Sequence, residues 1–136
     1  VDLECEGKEV DLETLEYIHL HKTGALLKAC VRTGAIIAGA NEELLKALTT
    51  YAEGIGLAFQ IIDDILDLTS SSEQLGKTAG KDLLADKTTY PKLLGMEESK
   101  KRAFDLVDKA KKAIKPWGKN AKYLISLADF ITNRDR

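Results

Sequence analysis

Gly56-Leu57-Ala58-Phe59-Gln60-Ile61-Ile62-Asp63-Asp64-Ile65-Leu66-Asp67-Leu68 places three carboxylates in the middle of an otherwise apolar stretch. Around it, Leu44, Leu45, Leu48, Tyr51, Ala52, Ile55, Ala58, Phe59, Ile62, Ile65 and Leu66 recur at three- and four-residue spacing, the period of a helix. Asn41 stands where an N-cap belongs, and Glu42 and Glu43 follow in the first turn, where the helix dipole favours negative charge. The spacing predicts a helix from Asn41 to about Leu68, about 27 residues and roughly 40 Å long.

Working outward, Leu15, Ile18, Leu26, Leu27, Ala29, Val31, Ala35 and Ile36 predict a second helix over Leu12 to Ala38, buried on much of its surface and stopped by Gly39. On the other side, Ser70 to Asp86 is rich in serine, glycine, lysine and aspartate and reads as an extended loop, a length usually reserved for function or disorder. After Pro91 a short helical piece ends near Gly95. An amphipathic helix then runs from Glu97 to Lys115, stopped by Pro116 and Gly118, and a last one from Asn120 to about Ile131. No internal repeat and no sustained strand period occurs, so the fold class is all-α.

At 136 residues the chain is one domain at most. Its first residue, Val1, suggests a fragment or a processed product, so the expected unit is a single partial domain over residues 1–136. Hydrophobic content of 44% with 31% charged residues fits a soluble globular protein. Acid gathers at the start (Asp2, Glu4, Glu6, Glu9, Asp11) and base near the end (Lys109, Lys111, Lys112, Lys115, Lys119). Without interleaved arginine and aromatic residues these runs read as solvated helix faces, which excludes a nucleic-acid partner. Cys5 and Cys30 lack the close spacing of a zinc site and read as reduced thiols in an intracellular compartment. The aspartates interrupt the most hydrophobic stretch, so no transmembrane segment is expected.

Residues four apart share a helix face, so Asp63 and Asp67 point the same way, as does Gln60 one turn earlier, with Asp64 beside them. Two carboxylates about 6 Å apart repel by roughly 3 kcal/mol at an effective dielectric near 20. Withdrawing such charges from water costs several kcal/mol more per ion. An apolar helix that carries them calls for a compensating cation. Oxygen-only ligands favour a hard ion, and Mg²⁺ held by one or two carboxylates plus substrate phosphates fits better than a closed protein cage. A solvent-facing stripe, or a pairing with lysine, is the alternative.

Lys22, Lys77 and Lys87 stand in segments unlike solvated helix surface and together could hold a polyanion. Gly76-Lys77-Thr78 is not the end of a P-loop, because that motif needs glycine where Ser71 stands and a strand before it. His19 and His21, two apart, cannot share a helix face. Packing or hydrogen bonding suits them better than zinc.

Three ordered blocks also carry a family resemblance. Phe59-Gln60-Ile61-Ile62-Asp63-Asp64-Ile65-Leu66-Asp67 resembles the second aspartate-rich motif of the trans-prenyltransferases (polyprenyl synthases). The similarity continues through Gly76-Lys77-Thr78-Ala79-Gly80-Lys81-Asp82 and Ala85-Asp86-Lys87-Thr88-Thr89-Tyr90-Pro91. Upstream, Ile18-His19-Leu20-His21-Lys22-Thr23-Gly24-Ala25-Leu26-Leu27 is similar to the helix bearing that family's Lys-Thr pair. The wording is nearest to geranylgeranyl diphosphate synthases of plants, algae and cyanobacteria.

The resemblance implies a bundle of about ten helices around a deep cavity, with two aspartate clusters facing across its mouth and Mg²⁺ ions bridging them to an allylic diphosphate. By that analogy Asp63 and Asp64 supply metal ligands with Asp67 in the shell around them, and Lys22, Lys77 and Lys87 contact the diphosphate. Thr23 and Gln60 line the reacting centre. The implied reaction condenses isopentenyl diphosphate with an allylic diphosphate, giving geranylgeranyl diphosphate in this branch. A homodimer, or a heteromer with another synthase subunit, is the implied assembly, in plastid or cytoplasm.

The family's first aspartate-rich motif, the arginines after it and the isopentenyl-binding basic residues belong to its N-terminal half and are absent here. The expectation for the chain as given is therefore catalytic silence. Gly24 stands where alanine is expected. A different function class fits the same departures: a non-catalytic truncated paralogue that binds and modulates a full-length synthase. A terpene cyclase fits less well, since such enzymes usually carry an Asn/Ser/Glu metal cluster where this chain has aspartates.

Overall fold

The computed structural model describes residues 11–73 and 88–134, and every described element is helical. In chain order they are α1 (Leu12–His21), α2 (Thr23–Ile37), α3 (Glu42–Glu73), α4 (Tyr90–Leu94), α5 (Met96–Ile114), a 3₁₀ segment (Lys115–Ala121) and α6 (Lys122–Asn133). The all-α expectation holds.

The start and stop signals act as read. Asn41 Oδ1 accepts from the Leu44 amide at 2.8 Å, capping α3. Gly39, at φ 81°, ends the preceding helix in the left-handed region. Gly118, at φ 56°, lies within the 3₁₀ segment that separates α5 from α6.

Two boundaries differ. The helix expected over Leu12 to Ala38 breaks at Lys22, whose φ of −105° and ψ of −106° leave the helical region. Both pieces keep the helical period, so the break carries no stop signal. Its mark is Gly24, where a Cβ would lie 2.9 Å from the His19 carbonyl oxygen, too close for any side chain without a shift. The glycine found in place of the expected alanine therefore has a steric reason. The second difference is α3, which runs past Leu68 to Glu73, 32 residues in all. Thr69 Oγ1 donates to the Ile65 carbonyl at 3.0 Å, which satisfies the hydroxyl inside a helix that polar composition alone would end. The remainder of the expected loop lies outside the described residues.

α3 is the axis of the molecule, and its neighbours are in clear register with it. α2 packs antiparallel: Gly24 meets Gly56, Lys28 pairs with Glu53 at 3.5 Å, and the Arg32 guanidinium donates to Thr49 Oγ1 at 2.7 Å. α5 also runs antiparallel, and a Cβ at Gly54 would stand 3.2 Å from the Ala110 Cβ. α6 runs parallel, with the Tyr51 hydroxyl donating to the Leu124 carbonyl at 2.7 Å near one end and Arg134 reaching Phe59 and Asp63 at the other. The core between them holds Tyr51, Ile55, Ala58, Ile62 and Ile65 of α3 against Ala103, Val107, Ala110 and Ile114 of α5, with Ala128 and Ile131 of α6. Ser99, Ala103, Val107, Ala110 and Ile114 recur every three or four residues, the buried stripe of an amphipathic helix.

α2 does not share this burial. Of its residues only Gly24 and Ala35 are buried, while Leu26, Ile36 and Ile37 are exposed, Ile37 at 81%. The expectation of a helix buried on much of its surface fails for α2 among the described residues, because α3 covers one side of it and no described element covers the other. The lysines of α5 behave as a solvated face, with Lys111 pairing to Asp129 at 2.7 Å. No helix among the described residues is long and apolar enough to cross a membrane.

Candidate functional site

The site grows from the stretch of α3 where carboxylates enter the apolar run. From Tyr51 to Ala58 its buried residues crowd together, and from Gln60 onward polar side chains alternate with buried Ile61, Ile62 and Ile65. Gln60 is half-buried, the Asp63 side chain is 40% exposed and Asp67 is exposed, on successive turns of one face.

The register of α1 and α2 against α3 brings the Lys-Thr pair to this face. Gly24 touches the Gly56 turn, and His19 Nε2 lies 3.8 Å from Asp64 Oδ2, one turn beyond Gln60. Lys22 and Thr23 fall between those two contacts, at the junction of α1 and α2, and therefore run alongside the Gln60 turn. Lys22 is exposed at the helix break and Thr23 is half-buried as the first residue of α2. Six of the eight expected residues, Lys22, Thr23, Gln60, Asp63, Asp64 and Asp67, thus share one region. Lys77 and Lys87 lie outside the described residues.

The aspartates differ in what holds them. Asp63 Oδ1 accepts from the Arg134 guanidinium at 2.6 Å. The same nitrogen donates to the Phe59 carbonyl at 3.1 Å, and the guanidinium lies over the Phe59 ring, 4.2 Å from its centroid. Asp64 turns toward α4, and its Oδ2 accepts from the Tyr90 amide at 3.2 Å. The His19 ring stacks on Tyr90 with centroids 5.5 Å apart. Asp64, His19 and the buried Tyr90 therefore form a partly buried junction of α3, α1 and α4. Burial drives the Tyr90 hydroxyl pKa far up, with the nearby Glu16 carboxylate adding to the effect and Arg102 opposing it. Arg102 and Glu16 pair across the same junction and tie α5 to α1. His21 bonds the Tyr17 carbonyl through Nδ1 at 2.8 Å, the hydrogen-bonding role expected of it.

Among the described residues no three His, Cys, Asp or Glu side chains converge on one point. What Asp63 and Asp67 offer is oxygen donors on successive turns, the kind that suits a hard cation whose other positions go to water and phosphate. The pairing of Asp63 with a guanidinium shows that this carboxylate draws positive charge. The donor set fits Mg²⁺.

Sequence reasoning did not single out Arg134 or Tyr90, and it read His19 as packing or hydrogen bonding, in keeping with its stacking on Tyr90. Arg134 is 71 residues from Asp63, and nothing in its neighbourhood sets it apart from the other basic residues at the chain's end. His19 carried the nearest thing to a signal, a polar ring in a helix whose apolar period places it beside Ile18.

A family model described as polyprenyl synthetase matches residues 1–124. Dimethylallyltranstransferase of Fischerella ambigua is 56% identical over 134 residues, covering 98% of this chain and 39% of that protein. Geranylgeranyl diphosphate synthase of Cyanophora paradoxa is 54% identical over 136 residues, covering 99% of this chain and 45% of that protein. Among solved structures, a putative farnesyl-diphosphate synthase from Marinomonas superposes with a TM-score of 0.81 at 41% identity, over 97% of this chain and 44% of that one. The chain thus spans less than half the length of these relatives.

Proposed function

Because the chain belongs to the polyprenyl synthetase family, we propose that it is the C-terminal portion of a prenyl diphosphate synthase that condenses isopentenyl diphosphate with an allylic diphosphate, with geranylgeranyl diphosphate as product. The observation that carries this reading is the face of α3 on which Gln60, Asp63 and Asp67 lie on successive turns, with Lys22 and Thr23 flanked by the His19–Asp64 and Gly24–Gly56 contacts.

In the proposed reaction the allylic C–O bond breaks and diphosphate leaves with the electron pair. The double bond of isopentenyl diphosphate then attacks the allylic cation to form a C–C bond, and a proton is lost. When bound, Mg²⁺ supplies positive charge that stabilises the leaving diphosphate. Asp63 and Asp67 would hold the metal, and Asp64 would complete the cluster while tying it to α4. Lys22 would place an ammonium on the diphosphate oxygens, joined by Lys77 and Lys87. Thr23 and Gln60 would orient the reacting end, and the apolar surface of α3 would keep water from the cation.

The test is condensation of labelled isopentenyl diphosphate with geranyl and farnesyl diphosphates by the full-length protein, with product length read by chromatography. Mg²⁺-dependent formation of a C20 diphosphate is expected. A protein with an intact first aspartate-rich motif that forms no prenyl product would overturn the reading.

A second reading, a modulating subunit that binds another synthase, is favoured by one observation: the exposed apolar residues Leu26, Ile36 and Ile37 of α2. In either reading the assembly is a homodimer or a heteromer with another synthase subunit. Relatives from Capsicum annuum and Catharanthus roseus are described as chloroplastic, which supports a plastid location.

A further inference from the structure

Arg134 closes the last helix at the place where the aspartate face begins. It follows α6 in extended backbone (φ −70°, ψ 151°), with its amide donating to the Phe130 carbonyl at 3.0 Å. Its side chain reaches across to α3 and makes three contacts there: the Asp63 carboxylate, the Phe59 carbonyl and the Phe59 ring. Only 10% of the Arg134 side chain is exposed, against 40% of Asp63. The cation is therefore enclosed, while the carboxylate it neutralises stays open to solvent on its other side.

This asymmetry matters because Asp63 is also the carboxylate assigned to a divalent ion. A guanidinium 2.6 Å from Oδ1 and a divalent ion on the same carboxylate would be like charges within a few ångströms of each other. One Arg134 nitrogen serves both Asp63 and the Phe59 carbonyl, so a carboxylate that turned toward a metal would take one of that nitrogen's two acceptors with it. The ring contact and the carbonyl bond would remain, but the ionic contact that fixes the end of α6 to α3 would be lost.

We propose that Arg134 is an exchangeable counter-cation of Asp63, which ties the C-terminal end of α6 to the aspartate helix until a divalent ion takes its place. The inference rests on the metal reading of Asp63. Binding of the ion and docking of Arg134 then oppose each other, so metal loading loosens residues 130–134, and loss of the arginine tightens metal binding.

The experiment uses the full-length protein and Mn²⁺, counted by the electron paramagnetic resonance of the free ion, with no diphosphate present. Wild type, Arg134→Gln, Arg134→Lys and Asp63→Asn are compared, each checked for helicity by circular dichroism. Hydrogen exchange over residues 130–134 is followed with and without the ion. Arg134→Gln is expected to bind Mn²⁺ about fivefold or more tightly than wild type, within the usual range of coupling between two sites. Arg134→Lys keeps the charge and should stay nearer to wild type. Mn²⁺ should raise exchange at the C-terminal segment in wild type and change it little in Arg134→Gln. Unchanged or weaker binding in Arg134→Gln, with binding abolished in Asp63→Asn, overturns the exchange and leaves the metal reading standing. Wild-type binding in Asp63→Asn overturns both.

Discussion

The two faces of α3 are built from the same helix and ask opposite things of it. On the face toward α5 and α6, Tyr51, Ile55, Ala58, Ile62 and Ile65 are buried, and Gly54 lets the α5 backbone approach. On the face that carries Gln60, Asp63 and Asp67, side chains stay partly or wholly open, and Asp63 is held by a guanidinium. This division separates substitutions that should cost stability from those that should cost chemistry. The packed face positions the open one, because it fixes where along the helix axis the aspartates emerge.

The largest expected effect comes from the open face. Asp63→Ala in the full-length protein should lower kcat/KM for condensation by about 10³-fold, equivalent to roughly 4 kcal/mol of transition-state stabilisation. Some loss of thermal stability should accompany it, because the enclosed Arg134 guanidinium is left without its carboxylate, so turnover is compared per folded molecule. Near-normal turnover at limiting Mg²⁺ would mean that the open face does no chemistry.

Gly54→Val probes the packed face. The new side chain would press on the Leu106 carbonyl and Ala110, both 3.2 Å from the site of a Cβ. Overpacking of this kind costs about 1 to 3 kcal/mol. Thermal denaturation should report that loss, while kcat per folded molecule changes little. A variant that kept full stability but lost turnover would show that the packed face reaches the chemistry directly.

How far the sequence reached follows the same division. α3 was readable because an apolar period, an Asn41 cap and a first-turn Glu pair all agree, and the aspartates stood out against that period. Their shared face with Gln60 follows from spacing alone. The break at Lys22 was not readable, since helical periodicity continues through it and only Gly24, two residues on, records the close approach. Contacts between distant elements were out of reach for a different reason. His19 to Asp64 and Arg134 to Asp63 depend on the register of packed helices, which local spacing does not encode. The apolar residues of α2 mark a helix correctly and its burial wrongly, because period reports which side is apolar and not what covers it.

The smallest expected effect tests a single buried atom on the packed face. The Tyr51 hydroxyl donates to the Leu124 carbonyl at 2.7 Å and is the one polar group that side of α3 sends into α6 among the described hydrogen bonds. Tyr51→Phe keeps the ring and removes the hydroxyl's bond to a carbonyl that still accepts within α6, at a cost of about 0.5 to 1.5 kcal/mol near neutral pH. Alkaline pH should erase that cost. Burial pushes the Tyr51 hydroxyl pKa up to about 12 from an ordinary 10.0. A group whose folded pKa is raised contributes stability that is whole below the unfolded value and is lost as pH rises toward the folded one. Between about pH 10 and 12 the wild type should therefore lose roughly 1 to 1.5 kcal/mol per pH unit through this group, and the variant should not. Tyr90, also raised by burial, adds a slope of the same sign to both proteins and cancels from their difference. Denaturant unfolding at stepped pH should show wild type ahead at pH 8, with the two curves meeting near about pH 11. Curves that stay parallel through pH 11.5 would mean that the Tyr51 hydroxyl ionises in the folded protein as readily as in the unfolded chain, so that the seal between α3 and α6 admits water where the packed face is taken to exclude it.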